Sequence, residues 1–389
     1  MSGGRLQINL QPKVLRWARE RAGLETDALA SKVGVKPGRV YEWEQSGRIS
    51  FAQANKLAHH THTPLGFLYL PEPVDDRLPI PDFRTVGDRP LRRPSPELLD
   101  TIQMMQRRQA WMRDELIEEG HAALDFVGSV GLNAQPGDVA GMMREILGLG
   151  PHWADAEHPW SDALRGLRDH IEAAGVLVVF NGVVGNNTHR KLDPDEFRGF
   201  ALIDEYAPLI FINGADFKSA QIFTLVHELA HVWTGAGGVT NFEALEPSPH
   251  VMEQFCNQVA AEFLVPEAEI RSIWNQIPEG EDRYQFLARR FKVSSIVAAR
   301  RALDLAFIDR NAFFEFYNAW QVDERRKKQR GERGGSFWNS QNVRIGKPFG
   351  AAVARAVKEG RLLYREAYSL TGLKGKTFDK FVRQLGAEL

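Results

Sequence analysis

Apolar positions along the first seventy residues recur at helical spacing, broken by glycine. The pattern predicts a short amphipathic helix over Lys13–Arg21, ending at Gly23. A second helix runs to Val33, with Thr26 as its N-cap and Gly34 as its stop. A third covers Val35–Glu44, with Pro37 in its first turn, where proline is tolerated. Phe51–His59 and Pro64–Tyr69 complete an all-α set, and helix, glycine turn, helix at this length is a helix-turn-helix pattern. Prolines 71, 73, 79, 81, 90 and 94 then mark residues 71–95 as an extended connector. Further helices are expected over Leu98–Glu119, Asp138–Leu147 and Ser161–Ala174. After Gly175 the period changes, and Val176–Phe180, Gly199–Asp204 and Leu209–Asn213 read as buried strands. Helices follow at 217–233, Pro249–Leu264, Arg283–Phe291, Ser294–Leu305 and Asn311–Lys328. Residues 346–389 read as a small helical unit.

At 389 residues the chain is long enough for two or three domains, and 43% hydrophobic with 25% charged residues is ordinary for a soluble protein. The net charge of −1 points to no polyanionic partner for the whole chain. Residues 1–70, however, hold ten Lys/Arg against five Asp/Glu. The single cysteine, Cys256, excludes an internal disulfide and fits a reducing, cytoplasmic setting. No signal-like segment opens the sequence, and its most apolar stretch, Gly175–Val184, is too short to span a membrane. Arg325–Arg333 holds six basic residues and reads first as a solvated linker, with a nucleic-acid contact as the alternative.

The strongest chemical signal is His227-Glu228-Leu229-Ala230-His231. Histidines four apart lie on one face of a helix, one turn from each other, and can share one Zn²⁺. Glu228 would sit beside the open position, where a carboxylate can take a proton from water whose pKa zinc lowers to about 7. The bland alternative is two ordinary histidines. A third protein ligand is needed, and the helix ending at Leu264 offers Glu253, Cys256, Asn257 and Glu262. His₂Glu is a hydrolytic donor set, which favours Glu253. Asn257, four residues on, would then bond a ligand histidine and fix its ring. Cys256 reads as a packed residue, with a thiolate ligand as the rival. The donor to a transition state stays open among His189, Tyr206, His250 and Tyr284.

The run Phe223–His231, followed by Glu253-Gln-Phe-Cys-Asn257 and Ala260-Ala261-Glu262 up to Pro266, resembles the ImmA/IrrE family of metallo-endopeptidases. The likeness spans roughly residues 170–305, including Pro208–Asn213, Phe291-Lys-Val-Ser294 and Arg300-Arg301. It implies His227, His231 and Glu253 as zinc ligands and Glu228 as general base. Cys256 stands where the family usually has alanine, which keeps the thiolate alternative open. Leu78–Arg84 and Gly360–Ala367 resemble members with a fused N-terminal helix-turn-helix, whose substrates, where known, are repressors.

Ala28-Leu-Ala30, Gly34-Val35 and Trp43-Glu44-Gln-Ser-Gly47 resemble XRE/Cro helix-turn-helix domains. The third helix opens Lys36-Pro37-Gly38-Arg39, so Lys36 and Arg39 are the residues expected to touch DNA. Glu42 and Asp27 oppose phosphate, and a protein-docking use of the same fold is the alternative. The expectation is therefore a multidomain, mainly α chain with an α+β zincin-like peptidase core. Its parts are a helix-turn-helix domain (11–70), a connector (71–95), a peptidase domain (96–310) and a C-terminal helical region (311–389). Its function would be zinc-dependent cleavage of a repressor or toxin-like partner, with DNA as second partner, no membrane, and room for a homodimer. The rival is a DNA-binding regulator or antitoxin whose peptidase-like domain senses a partner with little turnover.

Overall fold

The computed structural model describes residues 6–75, 78–81, 94–150, 153–154, 159–240, 250–278, 280–330 and 337–386, and of 323–330 and 337–340 the backbone alone. The nucleic-acid contact expected of Arg325–Arg333 and residues 82–84 of the proline-rich Leu78–Arg84 lie outside the described residues and side chains. By contacts the chain divides into two compact units, Met1–Pro79 with Pro90–Ile102, and Ile80–Arg89 with Gln103–Leu389.

In the first unit a strand β1 (Gln7–Asn9) precedes helices α1 (Pro12–Arg21), α2 (Thr26–Val33) and α3 (Pro37–Ser46). Strand β2 (Arg48–Ser50) and helix α4 (Phe51–His60) follow, then a 3₁₀ turn at Leu65–Tyr69. β1 and β2 pair antiparallel, Ile8 opposite Ile49. The expected helices are there, with two boundaries moved. Thr26 is the first residue of α2 rather than its cap; Glu25 takes the cap position and makes no side-chain capping bond. α3 starts two residues late because Pro37 keeps Lys36 extended (ψ 147°) and itself opens the helix. Gly34 ends α2 at φ 79°, a left-handed turn that only glycine adopts freely. Val14, Leu15, Leu29, Val33, Val40 and Trp43 fill the core. Arg19 reaches both oxygens of buried Glu44, at 2.6 and 3.0 Å, and so fixes α1 against α3.

Helix α5 (Pro96–Glu118) is followed by α6 (Pro136–Ile146) and α7 (Trp160–Ala173). The strands are β3 (Leu177–Asn181), β4 (Val183–Val184), β5 (Asn187–Lys191), β6 (Gly199–Leu202), β7 (Leu209–Asn213) and β8 (Val239–Thr240). Between β7 and β8 lies α8 (Lys218–Thr234), and after β8 lie α9 (Val251–Leu264), α10 (Glu267–Ile273), α11 (Arg283–Phe291) and α12 (Ser295–Asp304). A four-stranded sheet runs β3-β7-β6-β8, with β3 parallel to β7 and the other two pairs antiparallel. β3 and β7 are buried at every position, which explains their unbroken apolar runs. β4 and β5 form a separate hairpin. α8 packs on β6 and β7, and α9 packs on α8. The outer edge of β8 is taken by the chain itself, since Val239 N–H donates to Pro81 O at 2.9 Å. No described helix is long and apolar enough to cross a membrane.

Helices α13 (Arg310–Arg330), α14 (Phe337–Ile345), α15 (Lys347–Lys358), α16 (Tyr364–Thr371) and α17 (Lys376–Gln384) complete the chain. Buried Arg108 on α5 holds two of their carbonyls, donating to Leu370 O at 2.8 Å and Arg344 O at 2.9 Å.

Where α7 meets this region, Glu172 Oε1 is buried without a partner among the described residues. Burial pushes its carboxyl up to about 7, against the pull of Arg168 and Lys347. The folded chain then holds a proton that the unfolded chain loses near 4.5. That stabilisation is full below the unfolded value and is lost as pH rises through the folded one. Glu172→Gln should therefore raise the melting temperature at about pH 8, by an effect on the order of 2–3 kcal/mol, and change it little near pH 5. Equal shifts at both pH values would contradict this account.

Candidate metal centre

α8 is buried along nearly its whole length, which its apolar sequence on both sides of the histidines requires. His227 and His231 are both fully buried, one turn apart. Their Nε2 atoms lie 3.0 Å from each other. Glu253 enters from α9, placing Oε2 3.2 Å from His227 Nε2 and Oε1 3.0 Å from His231 Nε2. All three donor atoms fall within 4.8 Å of one another.

The donor chemistry fits a metal ion. A carbonyl only accepts, so the 2.7 Å contact between His231 Nδ1 and Ala236 O puts the ring proton on Nδ1. The Nε2 lone pair then faces the cluster. Asn257 lies beside His227, whose ring burial pushes down to about 4 and keeps neutral. Burial works against charge on Glu253, but the two imidazoles outweigh it and hold the carboxyl at about 2. Against burial, Cys256 and Glu253 hold the His231 ring well above its usual value, so an incoming cation would take the place of that proton. Two imidazoles and one carboxylate converging from two helices then form a three-ligand set. Fixing the second ring nitrogen is what partners of metal-binding histidines do.

Glu228 is not one of the three clustered donors. Its Oε1 accepts from the Thr240 hydroxyl on β8, and its Oε2 is buried without a partner among the described residues. Burial drives this carboxyl up to about 8. Positive charge at the neighbouring donors would oppose that shift. Gly199 makes room for the arrangement, because a Cβ there would lie 3.0 Å from Glu228 Oε1 and 2.9 Å from Thr224 Cγ2. Neither Gly199 nor Thr240 stands out in the sequence, since each meets Glu228 only through the pairing of β6 with β8.

The rival ligands are placed otherwise. Cys256 is buried and hydrogen-bonds His231, but its sulfur is outside the cluster of converging donors. Glu262 pairs with Arg301 and accepts from Glu267 N at 3.0 Å, so it serves the end of α9. Arg144 and Arg301 bind the last carbonyls of the same helix, at Glu262, Phe263 and Val265. Among the four candidate transition-state donors, His189 and His250 are exposed, Tyr206 is half-buried, and Tyr284 packs on Phe316 at 4.4 Å. In the first unit Lys36 and Arg39 are exposed at the start of α3, and Arg39 Nη1 donates to Glu42 Oε2.

Residues 171–303 match the family model of the IrrE N-terminal-like domain, peptidase family M78. Residues 345–384 match a domain of unknown function. Neither match reaches residues 11–70. No curated protein matches the chain. Residues 171–303 are thus a peptidase domain of the IrrE N-terminal-like kind, with the buried His-His-Glu cluster of an HExxH metallopeptidase.

Proposed function

We propose that the chain is a zinc-dependent endopeptidase whose N-terminal XRE-type unit takes it to DNA, and that it regulates transcription of stress, phage or mobile-element genes by cleaving a repressor or partner protein. The observation that carries the enzymatic part is the convergence of His227, His231 and Glu253. These three residues would hold the ion. When bound, zinc supplies Lewis acidity, which acidifies water to a pKa of about 7 and polarises a carbonyl. Glu228 Oε2 is the atom left to accept the proton from the attacking water and to pass it to the leaving amine. Thr240 holds the other oxygen, so the base keeps one orientation. Ala236 O keeps the His231 imidazole turned towards Glu253, and Asn257, beside His227, would do the same for that ring. The division into 11–70, 71–95, 96–310 and 311–389 belongs to the same reading.

Elemental analysis of the purified chain tests it. About one zinc per chain is expected. Cleavage of a co-purifying protein should stop on chelation and return with zinc. Metal-free protein whose cleavage ignores chelator would overturn the reading. The DNA part has its own test. Glu42→Gln releases Arg39 from its ion pair and should strengthen binding to duplex DNA, whereas Arg39→Ala should weaken it. Mobility shifts at two salt concentrations read both, and no response to either variant leaves α3 without this role.

A further inference from the structure

The C-terminal helices repeat the local design of the first unit. α2 and α16 each end on a left-handed glycine, Gly34 (φ 79°) and Gly372 (φ 72°). Counting from that glycine, the next residue is apolar and turned inward, Val35 or Leu373. The second is an exposed lysine, Lys36 or Lys374. The sixth and ninth are buried apolar residues, Val40 and Trp43 in α3, Phe378 and Phe381 in α17. Phe378 seats α17 on α16 through edge contacts with Tyr364 and Tyr368, with ring centres 6.2 and 5.5 Å apart. Thr371 closes the turn, donating to Ala367 O and accepting from Leu373 N. Like α1 under α3, α15 packs under α17. Gly350 on α15 lets the Phe381 ring approach to where a Cβ would lie 2.8 Å from it.

The two second helices differ in charge. The exposed stretch of the first unit offers Lys36 and Arg39 against Glu42, and Arg39 is spent on Glu42. The corresponding stretch of the C-terminal unit exposes Lys374, Lys376, Lys380 and Arg383, with half-buried Asp379 as the single acid among them. The unit is also held in place. Arg108 binds Leu370 O, Asn186 binds Gly372 O, and Arg355 and Arg361 pair with Glu119 and Glu115 at the end of α5. Those anchors use α15, α16 and the turn, and leave the cationic face of α17 in solvent.

We propose that residues 346–386 form a second helix-turn-helix and that α17 and the turn before it dock in duplex DNA through Lys374, Lys376, Lys380 and Arg383. A helix entering the major groove needs its first turn exposed and cations flanking it to meet phosphates. α17 provides both, and α3 provides fewer cations. The inference does not depend on DNA binding by the first unit.

The test uses the full chain and a random-sequence duplex, with binding measured at two salt concentrations. The triple variant K376A/K380A/R383A should bind roughly tenfold or more weakly at about 0.1 M salt. Its log–log salt slope should be shallower by about 0.9 for each phosphate that the variant no longer neutralises. Asp379→Asn, which removes the one opposing charge without changing shape, should strengthen binding. Melting curves matched to wild type show that the variants fold. K36A/R39A separates the two units: binding abolished there but kept in the triple variant overturns the proposal and leaves DNA to α3. Absence of duplex binding by wild type at low salt, or binding of single-stranded RNA alone, overturns it as well.

Discussion

Glu228→Gln will keep its metal and lose cleavage. The amide has nearly the shape of the carboxyl, and its oxygen can still accept from Thr240. What it cannot do is take a proton at the position of Oε2, the atom that no described residue engages. Loss of a positioned general base slows hydrolysis by roughly 10²–10⁴. Zinc content, melting temperature and cleavage rate on one preparation check this. The variant should match wild type in the first two and fail in the third. Full cellular function in a variant without cleavage would favour the regulator that senses a partner with little turnover.

Glu253→Ala will empty the metal site. His227 and His231 remain on α8, but two imidazoles alone hold zinc poorly, and Glu253 is the donor that touches both. Zinc should fall from about one per chain to near none. Stability gives an independent reading. A ligand at a thousand times its dissociation constant stabilises the fold by about 4 kcal/mol. Chelator should therefore lower the melting temperature of wild type and leave that of Glu253→Ala unchanged. Cys256→Ser is the companion experiment. The thiol touches His231 but is outside the converging donors, so zinc should stay. Zinc absent from Cys256→Ser but kept in Glu253→Ala would make the thiolate the third ligand.

The long elements were legible because their periods are unambiguous. α8 carries apolar residues on both sides of its histidines, and β3 and β7 are apolar up to their closing Asn181 and Asn213 because both faces are covered. The chemistry that lies on α8 was equally plain, since a four-residue spacing fixes two side chains on one face. What escaped was short or non-local. β1, β2, β4 and β8 have two or three residues each, too few to show a period. β5 reads Asn187-Thr-His-Arg-Lys191, polar on both faces, and its pairing is visible only in three dimensions. Thr240 and Gly199 meet Glu228 by strand pairing, which no local pattern encodes. The start of α3 shifted because proline acts on its predecessor, so Lys36 lies before the helix and not inside it. The likeness of α16–α17 to α2–α3 lay in the spacing after a glycine, and needed the glycine's left-handed φ to set the register.

The bond from Val239 to Pro81 bears on how the molecule behaves in a crowd. An open sheet invites trouble at its margins, where unpaired N–H and C=O groups template the addition of a foreign strand. Here one margin, β8, is only two residues long, and its outward N–H is already given to Pro81, a residue with no N–H of its own to offer the next chain. The other margin, β3, lies against α14. A hydrophobic sheet carrying a hydrolytic site is thereby kept from stacking edge to edge with its own copies. The proline-rich stretch that reads in sequence as a plain connector is, at Pro81, the seal on that edge.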